Sequence, residues 1–315
     1  MGKIAFLFPG QGSQIVGMGK TLAEANKDVK SFFEKADEKL NFSLSKLIFE
    51  GPQEELTLTT NAQPALLTTS IAILEFFKQS NIKPDYVAGH SLGEYTALVA
   101  AGAFSFEDGV NAVRKRGEFM EEAVPNGEGT MAAVLGLGRE ELQAVTDEVT
   151  REGNPVQLAN LNCPGQIVIS GSRLGVENAS VKAKEAGAKR VMPLVVSGPF
   201  HSELMKPAAE KFKNVLNGME INNAEIPVIA NVSADEMTSA NDIKEKLIAQ
   251  LYSPVLWEDS VQKMISLGVD TFIEIGPGKV LTGLVKKIDK SVRTYSVSDY
   301  ETCMAVMESL KEEIQ

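Results

Sequence analysis

One short run, Gly89-His90-Ser91-Leu92-Gly93, restricts the fold of this chain more than any other. It follows the apolar residues 86–89 and opens onto an apolar-rich stretch beginning at Gly93. A serine flanked by glycines at such a junction fits a sharp strand-to-helix turn. The glycines remove side chains that would collide there, and the serine is left exposed at the end of the strand. The N–H of the next residue, Leu92, is then available to an oxyanion beside the serine. A strand that ends this way and feeds a helix belongs in a layered α/β fold.

The rest of the pattern agrees. Residues 4–8 are a short apolar run stopped by Pro9-Gly10, which reads as a buried strand. Helices are expected at 28–40, 62–77, 93–101 and 107–123, the last with apolar spacing at Val110, Val113, Phe119 and Met120. Further on, strands at 228–232 and 271–275 alternate with helices at 243–251, 261–267 and 280–288. The expectation is a mostly parallel sheet, hydrolase-like because of the serine turn.

Residues 126–196 read differently. After Pro125-Asn126-Gly127-Glu128-Gly129 come a strand at 131–135, a helix at 139–150 and strands at 156–161 and 166–170. A turn at 162–165 separates those two strands, and a helix at 176–186 and a strand at 190–195 follow. That β-α-β-β-α-β order is the ferredoxin-like pattern. We therefore expect a large α/β domain from 1–125 and 197–315, with a ferredoxin-like small domain, 126–196, inserted into it.

Charge and cysteine content remove several functions. The 315 residues carry 42 acidic and 31 basic side chains, a net charge of −11. That balance is a poor footprint for a nucleic-acid partner. Residues 56–74 lack charge, yet five threonines, an asparagine, a glutamine and a proline make them too polar to span a membrane. The apolar run at 4–8 is too short for a secretion signal, so a cytoplasmic protein is expected. Cys163 and Cys303 show no CxxC spacing, which argues against structural zinc and fits a reducing compartment.

A serine nucleophile needs a base, and the chain has two histidines. His90 adjoins Ser91, where neighbouring side chains diverge. His201, in the loop Gly198-Pro199-Phe200-His201-Ser202, is placed to reach a site at the sheet edge. Asp235, Glu258, Asp270, Glu274 or a backbone carbonyl remain open as the group that orients it. Gly10-Gln11-Gly12-Ser13-Gln14 follows the first strand and can present N–H groups to an oxyanion or phosphate, but its glycines do not match GxGxxG. Arg114-Lys115-Arg116 reads either as an exposed face paired with Glu118, Glu121 and Glu122, or as a run with one arginine turned inward onto a carboxylate. Met18, Met120 and Met131 read as core, and Cys163 as a packed thiol in a turn.

Taken together and in order, Gly10–Gln14, Gly89–Tyr95, Arg116-Gly117, Gly198–Ser202, Gln250–Val255 and Glu274–Gly278 resemble the malonyl-CoA–acyl carrier protein transacylases of bacterial type II fatty acid synthesis. The likeness runs essentially end to end. It implies Ser91 as nucleophile, His201 as base, the N–H groups of Gln11 and Leu92 as oxyanion hole, and Arg116 as the holder of the malonyl carboxylate. It implies that the main-chain carbonyl of Gln250 orients His201. Phe200 before His201 resembles the malonyl type of the wider superfamily. Partners would be malonyl-CoA and acyl carrier protein, with no metal or bound cofactor, no nucleic acid and no membrane. An esterase sharing the serine turn and a non-catalytic carrier-protein scaffold are the rival readings. An acidic carrier protein would need a local basic patch, and Lys182/Lys184/Lys189/Arg190 and Lys286/Lys287/Lys290/Arg293 are the two candidates.

Overall fold

The computed structural model describes residues 2–125 and 127–314. Asn126, where the small domain was expected to begin, and the chain-terminal residues 1 and 315 lie outside the described residues. Among the described residues ten strands form two sheets: β1 Lys3–Phe8, β2 Tyr86–Gly89, β3 Gly129–Leu135, β4 Val156–Cys163, β5 Gln166–Ser172, β6 Arg190–Pro193, β7 Val228–Ile229, β8 Glu236–Met237, β9 Val269–Ile275 and β10 Arg293–Val297. The larger sheet runs β10-β9-β1-β2-β7-β8. It is parallel except for the antiparallel edge pair β7/β8. The smaller sheet, β4-β5-β3-β6, is antiparallel throughout.

The central strands are apolar on both faces because helices cover both. In β1, Phe6 and Phe8 pack with Leu22, Phe77 and Leu98 on one side. Ala5 and Leu7 pack with Trp257 and Phe272 on the other. This is why residues 4–8 read as an unbroken apolar run rather than an alternating one. A third core, with Leu142, Ile169 and Ala179, belongs to the small sheet.

The helix Thr59–Phe77 is buried almost all round. Pro64 inside it has no N–H to give the Thr60 carbonyl, and Arg114 Nη1 donates to that carbonyl instead at 3.2 Å. Gly117 lets the helix Phe106–Glu122 approach closely, since a Cβ there would lie 2.9 Å from the Thr59 carbonyl oxygen. The close approach sets Arg116 beside Gln63.

Most expected elements are present, with shifted ends. The strand expected at 228–232 stops at Ile229, because the chain turns as Ala234 N–H donates to the Ala230 carbonyl with Ala234 at φ 52°. The strand expected at 190–195 stops at Pro193. Asn162 and Cys163 continue β4, leaving Pro164-Gly165 as the turn. The edge strand β10 and the helices Leu44–Glu50 and Tyr300–Ile314 were not anticipated.

The two sheets meet at a seam. A β-bulge in β4 around Ala159 accompanies a parallel bridge between Asn160 and Val255. Leu161 N–H donates to the Val255 carbonyl at 2.9 Å, and Val255 N–H to the Ala159 carbonyl at 2.8 Å.

Candidate active site

Strand ends place the first two pieces of the site. Phe8 pairs with Gly89, so the Gly10–Gln14 loop and Ser91 leave adjacent strands at the same sheet edge, where α/β folds collect their ligands. The turn is tight. A Cβ on Gly89 would lie 1.9 Å from the Gly93 carbonyl carbon and oxygen, and one on Gly93 would lie 2.1 Å from the Phe8 carbonyl oxygen. A Cβ on Gly10 would meet the His90 carbonyl oxygen at 2.4 Å, so the Gly10 loop lies against the turn.

Ser91 itself sits at φ 52°, ψ −105°. Such a conformation costs on the order of 1–3 kcal/mol and persists only where the surroundings over-determine it. Here its N–H donates to Asn231 Oδ1 at 2.7 Å, and its carbonyl accepts from Gln250 Nε2 at 2.9 Å. Asn231 Nδ2 also donates to the Gly89 carbonyl at 2.8 Å.

Ser91 Oγ lies 2.7 Å from His201 Nε2. His201 Nδ1 lies 2.8 Å from the Gln250 main-chain carbonyl oxygen, which assigns the ring proton to Nδ1 and leaves Nε2 as the acceptor. The imidazole is buried, and desolvation together with the Arg116 charge pushes its pKa down to about 3. Gln157, on β4, donates to the His201 carbonyl at 3.2 Å and accepts from Glu203 N–H at 2.9 Å, fastening the loop that carries His201.

Arg116 is 1% exposed, on the inward stripe that also holds Val113 and Met120. Its Nη2 donates to Ser91 Oγ at 3.1 Å and to Gln250 Oε1 at 3.0 Å, and its Nη1 to Gln63 Oε1 at 2.8 Å. It lies over the Tyr95 ring, 5.2 Å from the centroid. The basic triplet divides between two faces, while Glu121 accepts from Thr59 N–H and Glu122 pairs with Lys211. Arg114 and Lys115 pair with Glu118 outside while Arg116 turns in.

Beneath the turn, Glu94 is fully buried. Its Oε2 accepts from Asn231 N–H at 3.0 Å and Gln250 Nε2 at 2.9 Å. Desolvation raises its pKa to about 7 against these hydrogen bonds.

The structure thus brings Ser91, His201, Arg116 and Gln250 into direct contact. Gln11 lines the same cleft, as do Met120, Met131 and Phe200, so two methionines read only as core also face the site. The N–H groups of Gln11 and Leu92 have no acceptor among the described residues. The four candidate carboxylates are elsewhere. Asp235 pairs with Lys263, and Asp270 with Arg293. Glu274 accepts from the N–H groups of Leu281 and Thr282, and Glu258 from Gln262 Nε2 at 3.4 Å. His90 faces away from Ser91 Oγ, with Nε2 2.8 Å from Asn162 Oδ1 and its ring against Trp257. Sequence reasoning missed Gln63, Glu94, Gln157 and Asn231. Only the Glu94 carboxyl, inside an otherwise apolar helix start, carried a signal. Among the described residues, no group of three or more His, Cys, Asp or Glu is arranged to hold a metal.

Comparison with known proteins adds a second line. A family model described as an acyl transferase domain matches residues 5–313. A malonyl CoA-acyl carrier protein transacylase of Bacillus subtilis is 68% identical over 99% of this chain and 99% of its own length. The corresponding protein of Staphylococcus aureus is 46% identical over 96% and 97%. Among solved structures, an acyl carrier protein S-malonyltransferase from Vibrio cholerae has a TM-score of 0.94 at 46% identity, covering 96% of this chain and 99% of that one. A malonyl-transacylase structure in complex with its type II PKS acyl-carrier protein has a TM-score of 0.95 at 43% identity, over 98% and 99%.

Proposed function

Because the chain belongs to the acyl transferase family, among the malonyl CoA-acyl carrier protein transacylases, we infer that Ser91 carries the malonyl group as an ester between its two thiol partners. The enzyme transfers malonyl from malonyl-CoA to acyl carrier protein, supplying fatty acid synthesis. The observation that carries the serine mechanism is the chain of contacts from the Gln250 carbonyl through His201 to Ser91 Oγ.

In the first half-reaction His201 Nε2 takes the Ser91 proton as Oγ bonds to the thioester carbon. The resulting oxyanion is held by the N–H groups of Gln11 and Leu92, each worth on the order of 3 kcal/mol in the transition state. The C–S bond then breaks, and the departing CoA sulfur takes the proton back from His201. The phosphopantetheine thiol of the carrier protein repeats the sequence in reverse, and the C–Oγ bond breaks. The Gln250 carbonyl fixes the tautomer throughout. Arg116 pairs with the free carboxylate of the acyl group, a role a plain esterase would not need. The scheme draws only on groups of the chain and its two thiol partners, without metal or bound cofactor.

We read residues 126–196 as a ferredoxin-like unit inserted into a hydrolase-like large domain. The β-α-β-β-α-β order and the strand order β4-β5-β3-β6 support this. A cytoplasmic setting fits the two buried free thiols, and no helix among the described residues is long and apolar enough to cross a membrane. The deciding experiment is an intact-mass spectrum after brief exposure to malonyl-CoA, followed by peptide mapping. One malonyl group on Ser91 supports the mechanism, and an adduct on Cys163 or on no residue overturns it.

A further inference from the structure

Arg116 is a buried guanidinium with no carboxylate of the described residues in contact with it. Its fork is held by neutral oxygens, those of the Gln63 and Gln250 side-chain amides and Ser91 Oγ. The negative group nearest in the hydrogen-bond network is one amide away. Glu94 Oε2 accepts from Gln250 Nε2 at 2.9 Å, and Gln250 Oε1 accepts from Arg116 Nη2 at 3.0 Å.

We propose that Glu94 is a positioning residue that locks the Gln250 side-chain amide and, through it, aims Arg116 at the carboxylate of the acyl group. The proposal rests on the reading of Arg116 given above.

The geometry is directional. Glu94 Oε2 already accepts from Asn231 N–H, which leaves any carboxyl proton to Oε1, so Oε2 fixes the Nε2 end of the Gln250 amide on its side. The Oε1 end must then face Arg116. The reverse orientation would put amide hydrogens against guanidinium hydrogens and an amide oxygen against the carboxylate. The same Glu94 oxygen accepts from Asn231 N–H at 3.0 Å, so it also braces the residue that holds Ser91 N–H. Gln250 therefore does three separate jobs with three separate atoms. Its main-chain carbonyl holds His201, its Nε2 holds the Ser91 carbonyl, and its Oε1 holds Arg116. Only the last two depend on how the side chain is turned. Loss of Glu94 should therefore weaken carboxylate recognition more than proton transfer by His201. By keeping its own charge off Arg116, Glu94 leaves the guanidinium free to take the substrate's.

The test measures single-turnover acylation with malonyl-CoA and acetyl-CoA for wild type, Glu94→Ala, Glu94→Gln, Gln250→Met and Arg116→Ala. Rates are normalised to folded protein by thermal melts. Glu94→Ala should lose roughly 10–100-fold in malonyl acylation, the loss expected for a hydrogen bond to a charged group, and far less with acetyl-CoA. Glu94→Gln should restore most of the malonyl preference, since one amide oxygen can accept from both N–H groups. Gln250→Met keeps the main-chain carbonyl and should reproduce the selective loss even where Glu94→Ala fails to fold. Equal losses for both substrates, or a Gln variant as poor as Ala, overturns the positioning role. Arg116→Ala with its malonyl preference intact overturns the reading of Arg116 instead.

Discussion

Arg116 Nη2 donates to Ser91 Oγ at 3.1 Å, so the guanidinium touches the proposed nucleophile as well as lining the cleft. A charge-assisted donor on Oγ favours alkoxide character there. In the proposed mechanism the same fork also takes the carboxylate of the acyl group on Ser91.

Arg116→Ala should therefore cut malonyl transfer by about 10²–10³-fold, since removing one partner of a desolvated ion pair costs roughly 3–5 kcal/mol. Acetyl-CoA lacks the carboxylate, and its use should fall less or rise. Steady-state assays with both thioesters check this. Equal losses would mean that Arg116 only braces Ser91.

Replacing Ser91 by Ala should abolish the covalent adduct in the mass spectrum. His201→Ala should slow both half-reactions by about 10²–10⁴-fold, the range for general-base help. Because His201 meets both Ser91 and the Gln250 carbonyl, the two half-reactions should slow together. A variant defective in acylation alone would show a different base for the return step.

His201 and Glu94 make opposite contributions to acid stability. The buried imidazole has its pKa depressed to about 3, so the unfolded chain binds the extra proton between pH 6.5 and 3. Its stabilising share is complete above 6.5 and is lost as pH falls through that window. Glu94 is raised to about 7, so the folded state holds the proton between pH 4.5 and 7. Its share is present below 4.5 and is lost as pH rises through 7. Melting temperatures across pH 3–8 should show Glu94→Gln gaining relative to wild type as pH rises from 4.5 to 7. His201→Gln should gain relative to wild type as pH falls from 6.5 to 3. Parallel profiles for all three proteins would refute the assignment.

The two basic clusters differ once folded. Lys182 is clasped by Glu148 and Glu152, Lys287 donates to Gln166, and Arg293 pairs with Asp270. Lys189 and Arg190 are exposed at the start of β6, the strand that leads to Leu194–Val196 at the cleft. Reversing both to Glu should raise KM for acyl carrier protein several-fold and steepen no other step, because rim charges act mainly on a screened on-rate. Acylation by malonyl-CoA should stay within error of wild type. Unchanged KM in low salt would place docking elsewhere.

The residues of the site differ in how visible they were. Ser91 announced itself through a turn that only glycines tolerate, and His201 through the scarcity of its kind. Arg116 lies on the apolar stripe Val113–Met120, a charged residue at an inward position, so its direction was legible in principle. The Gln250 contact to His201 was legible only through the family resemblance, because a main-chain carbonyl leaves no mark on residue type. Asn231 and Gln63 act through single amide contacts set by tertiary packing, which no local period encodes. The edge strand β10 escaped for a related reason. Four of its five residues are only half-buried, so it lacks the apolar run that marked β1.

The seam at Asn160–Val255 has a consequence for anyone recombining these proteins. The bridge joins β4 to the stretch just beyond Gln250, and Gln157 on the same strand grips the carbonyls of His201 and Tyr252. The small sheet is part of the mounting for His201. A graft that exchanges it between relatives to retune carrier-protein choice would also re-seat the imidazole. Such chimaeras should carry β4 and residues 250–255 across as one piece.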